Sequence, residues 1–260
     1  MSAGPLESGR AVVTGGSRGI GRAIAERLAA AGATVVVGGR DAEGLAQTVK
    51  SIESAGGTAY AVALDVTDSN SVASFAASSV DLLDGAPTVV VNNAGVYKAG
   101  RFEDISVEDW AWVMDVNVYG IVRVTQAFLG GMVEAGKGNI VNISSTAGKW
   151  ASMFQSPYNA SKHAVLGLTR CLALETAKAG LVVTAVCPGF VDTPLLLESE
   201  LAECYGLDQK GLRDMAESRA PIGRLTTPEE VAELVLHLSG PMAQSSTGQS
   251  YSIPGGLIFI

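Results

Sequence analysis

The chain has 260 residues, 47% hydrophobic and 17% charged, enough apolar material to bury a large core in one α/β domain spanning residues 1–260. A net charge of −8 and a pI of about 4.8 disfavour any phosphate-backbone partner and leave no basic strip for a membrane surface. Nucleic acid and membrane are therefore not expected partners. Cys171, Cys187 and Cys204 form no Cys-x-x-Cys pair and have no nearby His at ligand spacing, so neither a disulfide framework nor a metal site is expected. Reduced thiols and an N-terminus, MSAGPLESGR, without a signal pattern point to the cytoplasm.

Short apolar strands alternate with longer helical patterns along the chain. Residues 11–13 read as a strand, 15–21 as a Gly-rich turn and 22–31 as a helix. Without side chains, Gly15, Gly19 and Gly21 permit a tight turn that brings backbone N–H groups to a pyrophosphate, with Ser17, Arg18 and Ile20 in the same candidate site. An ordinary flexible turn would carry similar glycines, but the strand before it and the helix after it favour a dinucleotide.

The second strand, 34–37, ends in Gly38-Gly39-Arg40, where an NAD site places a carboxylate for the ribose 2′-hydroxyl. Here Arg40 stands near that place and Arg18 can reach the same region. Two guanidinium groups suit a 2′-phosphate, so NADPH is expected over NADH. Asp41 is the one discordant charge and reads as the N-cap of a helix over 42–54.

A third strand over 58–64 closes in Asp65-Val66, ahead of a helix over 69–83. Asp65 could cap that helix or touch an adenine amino group, and Val66 lies beside it. The fourth strand, 88–91, runs into Asn92-Asn93-Ala94-Gly95; Asn92, Ala94 and Gly95 are candidates to line the cofactor, although such a turn can also just pin neighbouring backbone. From 107 onward the chain reads as a helix with an apolar stripe over 110–128 and Asn117 buried inside that stripe. That amide is either a satisfied core group or one that holds a backbone carbonyl and a water near a site.

A strand over 139–143 gives way to Ser144-Ser145, which puts the Ser145 hydroxyl at a strand's C-terminal end, the edge where open parallel sheets bind ligands. Tyr158 and Lys162 lie four residues apart on one helix face. An ammonium one turn from a phenol favours the phenolate left behind, so Tyr158 is a candidate general acid. His163 and His237, the only histidines, suggest neither a metal site nor a hydrolytic triad. Cys187 reads as a small buried apolar residue rather than a nucleophile.

TGGSRGIG, NNAG, Asn117, Ser145, YNASK and PGFVDT occur in the order seen in the short-chain dehydrogenase/reductase family, which the chain resembles over nearly its full length. The resemblance implies a Rossmann fold, a doubly wound sheet of seven parallel strands flanked by helices. It implies an NADP-dependent oxidoreductase with a catalytic tetrad of Asn117, Ser145, Tyr158 and Lys162. In that scheme Tyr158 protonates a carbonyl oxygen that receives hydride at carbon, Ser145 hydrogen-bonds the oxygen, Lys162 lowers the phenol pKa and holds the nicotinamide ribose, and Asn117 supports a water. Pro188, Gly189, Val191 and Thr193 would face the nicotinamide.

By the same resemblance, residues 193–219 form a substrate lid. Leu195, Leu196 and Tyr205, with Trp150, Met153 and Phe154 from the loop before Tyr158, would line an apolar pocket, unless several of them just pack the lid. Within the family the chain most resembles polyketide and 3-oxoacyl ketoreductases, so a ketone or acyl thioester, with a possible acyl carrier protein, is the expected substrate class. It departs from the polyketide enzymes in having Val96-Tyr97-Lys98 where many carry Pro-Gly-Gly, so that motif's stereochemical role does not carry over. A free or coenzyme A-linked ketone is the alternative, and a non-catalytic NADPH-binding regulator is disfavoured by the intact tetrad. The apolar 110–128 helix, the helix from 158 to 178 and the tail GGLIFI imply a homotetramer.

Overall fold

Strand segments without a polar face need cover on both sides of the sheet they form, and that requirement organises the molecule. The computed structural model describes residues 6–257. Its strands are Arg10–Thr14 (β1), Thr34–Gly39 (β2), Thr58–Ala63 (β3), Val89–Asn92 (β4), Gly138–Ile143 (β5), Leu181–Pro188 (β6) and Ser250–Ile253 (β7). They make one seven-stranded sheet in the order β3-β2-β1-β4-β5-β6-β7, and every neighbouring pair is parallel.

Alternate residues of each strand feed two cores. Val13, Val37 and Val91 face helices Gly19–Ala30 (α1), Ala42–Ser54 (α2) and Pro228–Ser239 (α10), where Ile24, Leu28, Leu45 and Val235 are buried. Val12, Val36 and Val90 face helices Ser69–Leu82 (α3) and Gly120–Ala135 (α5), with Phe75, Phe128 and Met132 buried there, and Leu172 from Ser156–Thr176 (α6). Each such side chain contributes about 1.5–3 kcal/mol of transfer free energy. Among the described residues no helix is long and apolar enough to cross a membrane.

The sequence expectation of one helix across 107–128 is corrected. Helix Val107–Met114 (α4) passes into a π-helical turn, Asp115–Tyr119, before α5 begins. Such wide turns insert an extra residue and mark functional positions; here the wide turn carries Asn117, fully buried, inward. Three short helices, Pro194–Leu197 (α7), Leu201–Cys204 (α8) and Gln209–Arg219 (α9), follow β6. Ile258, Phe259 and Ile260 of the apolar tail lie outside the described residues.

Strand order reverses between β1 and β4, the first strands on either side of the switch point. No connection crosses that gap at the C-terminal edge, so the sheet leaves a crevice there.

Candidate active site

The crevice holds two cavities that share walls. The first, about 470 Å³, is lined by Gly15, Ser17, Arg18, Gly19, Ile20 and Gly21 of the turn after β1, by Arg40 and Asp41 after β2, by Asp65 and Val66 after β3, and by Asn93, Ala94 and Gly95 after β4. Gly15 and Gly19 have φ of +67° and +55°, conformations that disfavour any side chain. A Cβ on Gly21 would lie 2.1 Å from the Gly15 carbonyl oxygen, so helix and turn can approach only without one.

The N-terminal donors of α1 have no side-chain cap. Asp41, Asp68, Ser106, Asp208 and Thr227 cap α2, α3, α4, α9 and α10 with side-chain oxygens, but Arg18 gives α1 no side-chain cap and its first turn has no acidic residue. An uncapped, acid-free helix start suits an anion, so this cleft fits the pyrophosphate of a dinucleotide.

Asp41 is the expected N-cap, accepting from the Gly44 N–H at 3.0 Å. Asp65 corrects its first alternative: Asp68 caps α3, whereas Asp65 accepts from the Thr67 hydroxyl at 2.7 Å and its N–H at 2.9 Å. Those bonds, the hydroxyl's first, hold the Asp65 carboxyl below the usual range. Asn92 is also corrected. Its amide donates to Thr125 and Asn142, buried between strands and helix and away from the cleft. Its neighbour Asn93 lines both cavities and straps β4 to the turn after β1, donating to the carbonyls of Thr14 at 2.9 Å and Gly15 at 3.1 Å. Side chains alternate along a strand, so only one of two consecutive amides could face the crevice.

Three of the four expected tetrad residues, Ser145, Tyr158 and Lys162, line the second cavity, and Asn117 does not. Tyr158 and Lys162 arrive on α6, Ser145 on the turn after β5. Ser144 anchors that junction, donating to the Lys162 carbonyl at 2.9 Å. Lys162 Nζ donates to the Ile143 carbonyl at 3.0 Å and lies 5.5 Å from the centre of the Tyr158 ring. Asn117 accepts from the Val96 N–H at 2.8 Å and donates to the Val96 carbonyl at 2.9 Å and to Ser161 Oγ at 3.0 Å. Both amide hydrogens are thus used on protein, and Asn117 holds the 95–96 backbone in place.

Electrostatics depart from the sequence expectation at one point. Tyr158 keeps part of its ring open to the cavity, but burial of its oxygen pushes the phenol up to about 12, against the lowering effect of a hydrogen bond with Ser145. Desolvation, not the neighbouring ammonium, dominates. The same burial lowers Lys162 to about 8. Cys187, fully buried, has its thiol pushed up by desolvation, which makes it a poor nucleophile.

The second cavity, about 310 Å³, is lined by Trp150, Met153, Leu195, Leu196 and Tyr205 of the expected pocket, and by Pro188, Gly189, Val191 and Thr193. Phe154 does not line it. At φ +65° it turns away to pack edge-on against Tyr205, ring centres 5.1 Å apart, in the small core beneath α8 and α9. Sequence reasoning missed Tyr97 and Arg219, which both line the cavity. Tyr97 packs 4.8 Å from the Tyr158 ring. Its place after the NNAG turn, within Val96-Tyr97-Lys98, is the signal that could have flagged it.

A doubly wound sheet with an anion-ready turn, opening onto a half-buried Ser and Tyr and a buried Lys, defines a dinucleotide-dependent oxidoreductase site. The family model for short chain dehydrogenases matches residues 10–203. A protein of Streptomyces coelicolor named as a ketoacyl reductase is 41% identical over 251 residues, covering 95% of this chain and 96% of its own. The 3-oxoacyl-[acyl-carrier-protein] reductase of Thermotoga maritima is 36% identical, covering 97% and 99%. Among solved structures, a tryptophan point variant of the actinorhodin polyketide ketoreductase with NADPH superposes with a TM-score of 0.92 at 40% identity, covering 98% and 99%. The chain belongs to the short-chain dehydrogenase/reductase family.

Proposed function

We propose that the protein is an NADPH-dependent ketoreductase that reduces a ketone of polyketide or 3-oxoacyl type to a secondary alcohol. The observation that carries this is the shared wall: Ile20, Asn93, Gly95, Val96, Thr193 and Leu195 line both cavities, and Tyr158 and Lys162 line the second. A dinucleotide in one cavity therefore ends where a substrate in the other meets the phenol.

When bound, the nicotinamide supplies hydride to the carbonyl carbon. Tyr158, still a phenol at every pH below about 12, gives its proton to the carbonyl oxygen. Ser145, already hydrogen-bonded to the phenol, holds that oxygen in line. Lys162 presents a cation against the Tyr158 ring and would hold the nicotinamide ribose. Asn117 keeps Val96 and the strip beside it at the height the two cavities share. Residues 193–219, which carry Leu195, Leu196 and Tyr205, cover the substrate.

A panel of ketones and 3-oxoacyl thioesters assayed with NADPH and NADH tests the reading. Oxidation of NADPH by at least one of them is expected, and inertness toward all of them would refute the reading. The pH profile adds a prediction. Lys162 is charged below about 8 and loses its proton above it, while the Tyr158 phenol is retained to about 12. Reduction should therefore be flat near neutrality and fall above pH 8 as the cation is lost. Lys162→Met should lower kcat/KM by about ten- to a hundredfold, weaken cofactor binding and abolish that alkaline limb. A limb that persists in the Met variant would assign it to another group.

A homotetramer is the expected assembly, supported by apolar residues left open on the helices concerned: Trp112 on α4 is 42% exposed and Leu174 on α6 84%. A monomeric mass at micromolar concentration would refute it.

A further inference from the structure

Arg219 is the last residue of α9 and lines the second cavity. Among the described residues that line this cavity the charged ones are Lys162 and Arg219, and no carboxylate is among them, in a chain with 26 acidic residues. Lys162 donates a hydrogen bond to the Ile143 carbonyl at 3.0 Å. Arg219 has no such commitment. Two arginines near it in sequence are locked: Arg213 grips Asp192 with two bonds of 2.6 and 3.1 Å, and Arg224 grips Glu230 with two of 2.7 and 2.8 Å. Arg219 has no ion pair among the described residues. Its guanidinium lies over the Tyr205 ring, 5.6 Å from the centre, and Tyr205 is wedged against Phe154.

A guanidinium stacked on an aromatic ring keeps its N–H edge free for a planar oxyanion. An apolar cavity with one uncommitted cation at its wall selects a ligand that is apolar for most of its length and anionic at one point. Resting on the ketoreductase reading, we propose that Arg219 is a specificity-determining residue that binds an anionic group, carboxylate or phosphate, on the ketone substrate. The two sources of that charge, a free keto acid and the phosphate of a thioester arm, share this chemistry. The location of Arg219 at a helix C-terminus also favours a cation for structural reasons, so the test must separate recognition from packing.

Two matched pairs make that separation: a keto acid against its methyl ester, and a 3-oxoacyl thioester of phosphopantetheine against that of N-acetylcysteamine. The wild type should favour the anionic member of at least one pair by about 10- to 100-fold in kcat/KM, the range for one charge-assisted contact; the pair that shows the preference identifies the source. Arg219→Gln should bring that ratio close to one, with the loss falling chiefly on the anionic member, while Arg219→Lys should keep part of it. A wild-type ratio near one in both pairs, or equal losses on both members in the Gln variant, would overturn the proposal and leave Arg219 as packing for Tyr205. Calorimetric binding of the corresponding alcohols to the NADP⁺-loaded enzyme makes the same comparison without turnover. An affinity difference lost only with Arg219→Gln supports the proposal even if the reductase assay fails, and equal affinities overturn it.

Discussion

Tyr158→Phe is expected to lower kcat/KM for ketone reduction by about 10²- to 10⁴-fold, the contribution of a positioned general acid. The Phe ring retains its contact with Tyr97, now 4.8 Å between centres, and its place 5.5 Å from Lys162 Nζ. What disappears is the one proton that Ser145 and burial hold ready. Net loss of that hydrogen bond costs only about 0.5–1.5 kcal/mol of stability, so the variant should fold and bind NADPH almost normally. Fluorescence titration of the cofactor and steady-state kinetics check both halves. Near-normal turnover would shift suspicion to Tyr97, a second phenol that lines the cavity. Burial drives the Tyr97 phenol far up, and its hydroxyl has no hydrogen-bond partner among the described residues. For that reason Tyr97→Phe, made alongside, should spare most of the rate.

Arg40→Asp is expected to move the ratio of kcat/KM for NADPH over NADH by a hundredfold or more, with roughly tenfold from each lost or opposed charge-assisted contact. Arg40 lies in the cleft near enough to Asp65 to help depress its carboxyl. Arg18, the second cation, sits 3.9 Å from Glu198 with both side chains more than 60% exposed. Such an exposed pair is worth at most about 1 kcal/mol, so Arg18 can turn to a 2′-phosphate at little cost. An Asp at position 40 would repel that phosphate and accept from free ribose hydroxyls. Measured cofactor ratios for both proteins decide the matter: a wild type that prefers NADH, or a variant that still prefers NADPH, would remove Arg40 as the reader of the phosphate.

Local chemistry was legible along the chain wherever one element carried the whole signal. The Gly-rich turn between a strand and a helix, the Asp41 cap and the Tyr158–Lys162 spacing each depend on residues within a few positions of one another. The seven-stranded parallel sheet was expected from the family resemblance, and the strands form it in the order β3-β2-β1-β4-β5-β6-β7.

Facing, burial and competition between distant groups were decided only in three dimensions. Consecutive asparagines at the end of β4 look alike in sequence, but Asn92 turns into the protein toward Thr125 and Asn142 while Asn93 opens to the cleft. An apolar stripe from 110 to 128 does not reveal the wide turn that drives Asn117 inward, because its hydrophobic pattern continues through the inserted residue. Phe154 and Tyr205 are both aromatic residues near the pocket, yet a left-handed backbone at Phe154 sends only the second to the cavity wall. Spacing alone put an ammonium beside the phenol and implied a lowered pKa. The fold buries the phenol's oxygen, and because desolvation acts on the charged form from every side while the cation lies over the ring, burial prevails.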